Sequence, residues 1–235
     1  PLLVTSLIDH AAREHAGREI VSRWADGSIT RSSWGEAGTD ARRFASALTR
    51  LGMTKGDRIA TLAMNHGHHL VSWYGTAGMG GVLHTVNPRL FDEQLVYIIN
   101  HAEDRMLFLD AVFLPIVERL RPLLEKIEHF VLFDAPAQEG YLSYRDLIAG
   151  GDAAFAWVDL DERDPVGLCY TSGTTGNPKG VLYEHRSNVI HAVTEIQPDA
   201  FNLSNRSVIL PIVPMFHANS WGIPFAAATV GAKMV

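Results

Sequence analysis

One stretch of the sequence decides the fold: residues 58–86, RIATLAMNHGHHLVSWYGTAGMGGVLHTV. It begins with an apolar run over residues 58–64, passes through residues 66–79 with helical spacing, and ends in an apolar run over residues 82–86. We expect Asn65 to cap the helix, because an amide side chain can accept from the first free N–H groups. A strand, a helix and a second strand at this spacing predict a βαβ unit with parallel strands.

The same alternation continues along the chain. Further strands are predicted at residues 20–24, 106–110, 130–133, 166–170 and 207–213, and further helices at residues 37–51 and 92–101. Ser33 with Glu36 predicts a capping box for the helix at 37–51, and Gly52 marks its end. The sequence therefore predicts an α/β fold with layered, largely parallel β-sheets flanked by helices.

The predicted organisation is two sheet-building lobes separated by a long connection. Over residues 134–164 Ala, Gly and Asp accumulate, and periodicity is weak except near residues 144–148. We assign the first lobe to about residues 1–133 and the second to about residues 165–235.

Composition excludes several classes of function. The chain has 20 Lys and Arg against 26 Asp and Glu, a net charge of -6, which argues against nucleic acid as a partner. No apolar stretch approaches the roughly 20 residues that span a bilayer. The one cysteine, Cys169, cannot form an internal disulfide, and we recognise no secretory signal. We therefore expect a cytoplasmic location.

A loop rich in Gly, Ser and Thr follows the predicted strand at 166–170; residues 170–180 are YTSGTTGNPKG. The glycines let successive N–H groups converge on an anion, while the hydroxyls and Lys179 add donors and positive charge. This pattern favours a polyphosphate cradle, although a plain surface loop has a similar composition. A Walker loop is excluded, because Pro178 stands where the second Gly would be needed.

Other conspicuous residues are interpreted as structural. His66, His68 and His69 begin a predicted helix and lack the Cys or carboxylate pattern of a metal site. Cys169 lies on a predicted buried strand and is interpreted as a packing residue. Trp73 is expected to pack its helix onto the sheet.

Several segments together carry a family resemblance. Residues 170–180 match the phosphate-binding signature of the adenylate-forming superfamily, which includes acyl-CoA synthetases, luciferases and peptide-synthetase adenylation domains. Residues 214–221, PMFHANSW, resemble the Pro-x-Phe-His segment of acyl-CoA synthetases, and residues 86–90 and 52–59 resemble that family's amino-terminal half. The resemblance runs from about Asp9 to the last residue. It is greatest to bacterial medium- and long-chain fatty-acyl-CoA synthetases.

The resemblance implies a two-step reaction and a set of ATP ligands. A fatty acid would be activated by ATP to an acyl-adenylate with release of pyrophosphate, and the thiol of coenzyme A would then displace AMP. The residues implied to hold the phosphates of ATP are Ser172, Gly173, Thr174, Thr175, Gly176 and Lys179. Thr171 is implied to contact ATP and to ligate Mg²⁺ through its hydroxyl, a hard oxygen ligand.

The resemblance also assigns His217 and Trp221. His217 would bind the substrate and act as a catalytic residue, steadying negative charge beside the carboxylate and the α-phosphate. Trp221 would bind the substrate by gating the fatty-acid tunnel, and we expect a helix to place both side chains on one face. From the residues alone, a satisfied histidine at a helix start and a core tryptophan remain alternatives.

The sequence leaves alternative functions open. The parent protein could be a CoA ligase for another small or substituted carboxylic acid, or the chain could be a non-catalytic nucleotide-binding fragment. The family's later Tyr-Gly-x-Thr-Glu segment and carboxy-terminal domain have no counterpart in these residues. We therefore expect a partial amino-terminal domain that does not complete adenylation by itself. The resemblance also allows a homodimer and a peripheral membrane contact.

Overall fold

The computed structural model describes residues 1–171 and 177–235. Its strands are β1 (Glu19–Arg23), β2 (Ile29–Ser33), β3 (Arg58–Leu62), β4 (Val82–Thr85), β5 (Met106–Leu109), β6 (His129–Leu132), β7 (Leu142–Ser143), β8 (Pro165–Thr171), β9 (Lys179–Glu184), β10 (Val208–Ile209) and β11 (Lys233–Met234). Its helices are α1 (Val4–Glu14), α2 (Trp34–Arg50), α3 (Gly67–Gly78), α4 (Asp92–Ala102), α5 (Leu114–Leu120), α6 (Tyr144–Ala149), α7 (His185–Glu195), the single turn α8 (Ala218–Trp221) and α9 (Ile223–Val230).

The larger sheet has seven strands in the order β7-β6-β5-β3-β4-β8-β9. All neighbours are parallel except β8 and β9, which form an antiparallel hairpin. Strands β4 and β5 are buried along their whole length, as expected for a parallel sheet with helices on both faces. The predicted βαβ unit is confirmed as β3-α3-β4, and with it the α/β class.

The smaller sheet joins the two ends of the chain, in the order β10-β11-β1-β2. The β1–β2 hairpin turns through residues 24–28, where the Trp24 N–H donates to the Ser28 carbonyl at 2.9 Å. The strand predicted at 207–213 is shorter than expected, with only β10 paired. Pro211 and Pro214 have no N–H to donate to a ladder, so pairing stops before them.

The predicted helix cap is confirmed at α2 but not at α3. The Ser33 hydroxyl accepts from the Glu36 N–H at 3.3 Å and caps α2, as predicted. Gly52, just after this helix, has φ +85°, a conformation that favours glycine. The prediction for α3 was wrong: its cap is His66, whose Nδ1 accepts from the His69 N–H at 3.0 Å.

The main core lies between α2, α3 and the central strands. Trp34, Phe44, Trp73 and Tyr74 are fully buried there, which confirms that Trp73 packs α3 onto the sheet. A second apolar cluster packs α4 and α5 against the other face. Among the helices that the structure describes, none combines the length and the apolar character needed to cross a membrane.

Both sheets contain strands from before and after the predicted connection. β8 and β9 extend the larger sheet beside β4, while β10 and β11 extend the smaller sheet beside β1. Residues 134–164 contribute β7 and α6, the short element expected near residues 144–148. The division into two lobes stays a prediction.

Candidate functional site

The base of the predicted phosphate loop is the end of the β8–β9 hairpin at which the two strands are connected. Thr171 pairs with Lys179 and Tyr170 with Gly180 across the two strands. The Thr171 hydroxyl donates to the Lys179 carbonyl at 3.4 Å, and both residues are exposed. Side chains of directly opposed residues share a face of the sheet, so these two predicted ATP ligands are neighbours. The other predicted phosphate ligands lie outside the described residues: Ser172, Gly173, Thr174, Thr175 and Gly176.

Tyr170 anchors this hairpin to α4. Its phenol oxygen lies 2.7 Å from Nδ1 of His101, and its ring covers Gly180, where an added Cβ would lie 3.2 Å from Tyr170 Cζ. Burial, with a smaller contribution from the Asp104 carboxyl, raises the pKa of Tyr170 to about 12. The phenol therefore keeps its proton at neutral pH and can donate to His101. Sequence reasoning missed His101, because no local pattern marks a partner 69 residues away.

Asn65 holds the segment that leads to His217. Its amide group donates to the carbonyls of Pro211 at 2.9 Å and Val213 at 3.0 Å, and its Oδ1 accepts from the Met215 N–H at 2.7 Å. These three hydrogen bonds replace a strand ladder that the prolines cannot form. Asn65 is therefore a tertiary anchor rather than the predicted helix cap.

His217 immediately precedes a left-handed turn, and Trp221 lies within it. His217 itself is extended, with φ -121° and ψ 112°, but φ is 45° at Ala218, 52° at Asn219, 53° at Ser220 and 55° at Trp221. The predicted helical face shared by His217 and Trp221 was therefore wrong. Both side chains are exposed. Left-handed backbone costs an L-residue about 1–2 kcal/mol, so the surroundings must impose it.

Two buried side chains impose this turn. The Ser220 hydroxyl donates to the Val213 carbonyl at 2.7 Å. Oδ1 of Asn219 accepts from the Cys169 thiol at 3.0 Å and from the Thr85 hydroxyl at 3.2 Å. Cys169 lies on β8 two residues before Thr171, so this contact places the His217 turn against the strand that leads into the loop.

Cys169 has the structural role predicted for it. It is buried, and burial raises the pKa of its thiol. A protonated, desolvated thiol is a poor nucleophile but a usable hydrogen-bond donor.

The histidine cluster at the start of α3 is also structural. Nε2 of His66 donates to the buried Asp110 carboxylate at 2.9 Å, and Nδ1 of His69 donates to the Met64 carbonyl at 3.0 Å. Burial, with a smaller contribution from His66, lowers the pKa of His68 and of His69 to about 4. Among residues 1–171 and 177–235, no three His, Cys, Asp or Glu side chains are grouped to hold a metal ion.

Comparison with known proteins identifies the family to which this arrangement belongs. The family described as AMP-binding enzyme matches residues 8–235. The chain belongs to the AMP-binding enzyme family. A medium-chain-fatty-acid–CoA ligase from Ectopseudomonas oleovorans is 52% identical over 240 residues, covering 100% of this chain and 44% of that protein. A 3-methylmercaptopropionyl-CoA ligase from Ruegeria lacuscaerulensis is 53% identical over 242 residues, covering 100% of this chain and 45% of that protein.

Solved structures support this fold. A long-chain-fatty-acid-CoA ligase from Archaeoglobus fulgidus superposes with a TM-score of 0.87 at 23% identity, covering 100% of this chain and 47% of that one. At that identity the likeness shows the fold alone. The chain spans less than half the length of the curated relatives named above.

Proposed function

We propose that the protein containing this chain activates a fatty acid with ATP, forming an acyl-adenylate and pyrophosphate, and then transfers the acyl group to coenzyme A with release of AMP. One observation carries this proposal: the hydrogen bond from Cys169 to Asn219 joins the strand of the phosphate loop to the turn that bears His217. A carboxylate contacting His217 would therefore lie close to a nucleotide bound at Thr171 and Lys179.

The chain's own residues have distinct tasks in the first step. Lys179 supplies positive charge for the phosphates, and the Thr171 hydroxyl beside it supplies a neutral polar contact. His217 is exposed at the turn, where its imidazole can contact the carboxylate and the charge that develops as it attacks the α-phosphate. This chemistry needs in-line positioning and charge neutralisation rather than a protein nucleophile, which agrees with the inert environment of Cys169.

Mg²⁺ fits this site as a companion of ATP. Thr171 offers one hard oxygen, and Mg²⁺ ordinarily completes its shell with substrate phosphate oxygens and water. When bound, the ion would neutralise phosphate charge. Among the described residues, we assign Thr171 as a ligand of the ion.

A second candidate substrate is a short substituted acid. The Ruegeria relative, named for 3-methylmercaptopropionate, is as similar to this chain as the medium-chain fatty-acid ligase is. Because the two relatives are equally similar to this chain, their identities support the CoA-ligase reaction that both names share. They do not favour either acid as the substrate. Trp221 lies within the turn with its side chain exposed, and it is our candidate for the residue that senses the acyl chain.

Carboxylate-dependent exchange of labelled pyrophosphate into ATP tests the reaction in the protein containing this chain. We expect exchange that is greatest with medium or long fatty acids and that falls at least 100-fold in Lys179→Ala, because an uncompensated phosphate charge is costly. Lys126→Ala, on the loop before β6, is the matched control and should retain activity. An exchange rate that is greatest with 3-methylmercaptopropionate would show that this acid, rather than a fatty acid, is the substrate. No exchange with any acid by a folded protein would favour a nucleotide-binding module.

The assembly and location of the protein are further proposals. We propose a cytoplasmic homodimer that contacts membranes at most peripherally, in keeping with a lipid-derived substrate. Light scattering of the purified protein and flotation with liposomes test these statements, with a monomer or a stable liposome complex as the contradicting results.

A further inference from the structure

The left-handed turn depends on contacts with two strands of the larger sheet. Five consecutive residues, 218–222, have positive φ, and only Gly222 among them lacks a side-chain penalty. Such a backbone persists where surrounding contacts over-determine it. The contacts come from Asn219, which is 4% exposed although its neighbours His217 and Trp221 face solvent.

The amide oxygen of Asn219 accepts hydrogen bonds from side chains on two different strands. Thr85 ends β4 and donates at 3.2 Å; Cys169 lies within β8 and donates at 3.0 Å. The Thr85 oxygen and the Cys169 sulfur are themselves 3.3 Å apart. Because β4 and β8 are neighbours in the sheet, these two donors are held rigidly, and Asn219 has one orientation that accepts from both.

We propose that Asn219 is a positioning residue for the acid substrate, with Thr85 and Cys169 as its supports. Asn219 touches no proposed substrate group. It fixes the turn so that His217, two residues before it, and Trp221, two residues after it, project in defined directions. Displacing a positioning group by about 1 Å can cost 100-fold in rate, so support from the sheet matters for catalysis. This inference rests on the proposed function.

The supports allow matched substitutions that leave Asn219 in place. Thr85→Val keeps the shape of the side chain and removes the donor, whereas Thr85→Ser keeps the donor. Cys169→Ala and Cys169→Ser form a second such pair. Each substitution removes or retains one hydrogen bond from a buried side chain that the proposed reaction does not use directly.

Steady-state kinetics of the four variants test the inference. We expect Thr85→Val and Cys169→Ala to lower kcat/KM for the acid about 10-fold while the KM for ATP stays within two-fold of wild type. Thr85→Ser and Cys169→Ser should restore most of the loss. Equal effects in the donor-free and donor-retaining variants, or a parallel rise of both KM values, would overturn a positioning role.

A second measurement does not depend on turnover. Amide hydrogen exchange of the peptide that spans residues 217–222 should be at least 10-fold faster in Thr85→Val than in Thr85→Ser, because the turn loses one support. Equal exchange rates in Thr85→Val and Thr85→Ser would refute the support of the turn by Thr85, even if the enzyme is active. Absence of activity in the wild-type protein with every acid would instead refute the proposed function, and the exchange comparison would still decide whether the anchor exists.

Discussion

The phenol oxygen of Tyr170 lies 2.7 Å from Nδ1 of His101, and this contact ties the base of the predicted phosphate loop to the last turn of α4. Tyr170 is adjacent in sequence to Thr171 and opposite Gly180, so a shift of its ring is transmitted to both strands of the hairpin. The predicted ATP ligands lie between Tyr170 and Gly180 in the sequence.

Removing this hydrogen bond should weaken ATP binding. We expect Tyr170→Phe and His101→Phe each to raise the KM for ATP about five-fold, which corresponds to about 1 kcal/mol for one hydrogen bond. The double variant should be no worse than either single variant, since both remove the same interaction. Tyr97→Phe, which keeps the ring stacked on His101, is the control. Additive losses would show that the two side chains act independently.

Adding a methyl group at residue 180 should disturb the same anchor. In Gly180→Ala the new Cβ would lie 3.2 Å from both Leu168 Cδ1 and Tyr170 Cζ, so the tyrosine ring must move. We expect a rise of about 3- to 10-fold in the KM for ATP, measured by pyrophosphate exchange. In a Tyr170→Ala background the same substitution should have a smaller effect. An equal rise in the KM for ATP in the wild-type and Tyr170→Ala backgrounds would show that the added methyl group does not act through the tyrosine ring.

The packing of α3 on α2 should depend on a glycine. A Cβ at Gly75 would lie 2.7 Å from Phe44 Cδ1 and 2.8 Å from the Ala41 carbonyl oxygen, so helix backbones must separate to admit it. Gly75→Ala should lower the free energy of unfolding by about 1–3 kcal/mol, as overpacking of a core does. At Gly17 a Cβ meets nothing within 4 Å, and Gly17→Ala should be close to neutral. Urea unfolding of both variants checks the contrast, and equal stabilities would contradict it.

Stability should fall as pH rises because of Glu195. Burial raises the pKa of this carboxyl to about 7, and the His191 Nδ1 lies 3.5 Å from it. Between about pH 4.5 and 7 the folded protein then binds more protons than the unfolded chain, so the free energy of unfolding decreases with pH across this window. Above about pH 7 the folded protein contains a buried Glu195 side chain in its ionised form.

Glu195→Gln should therefore flatten the pH profile of the melting temperature and raise that temperature at pH 8 by about 2–4 °C or more. Glu93→Gln, at an exposed position of α4, should leave the profile unchanged. Profiles for wild type and Glu195→Gln that run parallel from pH 5 to 8 would refute a raised pKa in the folded state.

Local patterns predicted much of the architecture. Alternating apolar runs placed the central strands, and Ser33 and Gly52 marked the ends of α2, because caps and periodicity depend on residues close in sequence. The assignment of Thr171 and Lys179 to one site came from a motif, and the hairpin register shows them side by side. Their roles with ATP stay predictions, as do those of the five residues between 171 and 177.

Local patterns failed where distant segments compete for the same groups. Asn65 has the composition of a helix cap but binds a segment about 150 residues away, and His66 caps the helix instead. The turn after His217 was predicted to be a right-handed helix, as its residue types allow. Contacts from Thr85, Cys169 and Val213 select the left-handed form.

The sequence by itself determined the α/β class, the order of the main strands and helices, and the family signature, because short-range periodicity and motif spacing encode all three. Only the tertiary structure decided the directions in which His217 and Trp221 point and the partners of Tyr170 and Asn219. Those features arise from hydrogen bonds between groups up to 134 residues apart. The bonds to Asn219 gain their strength from burial, and burial exists only once the sheet has assembled.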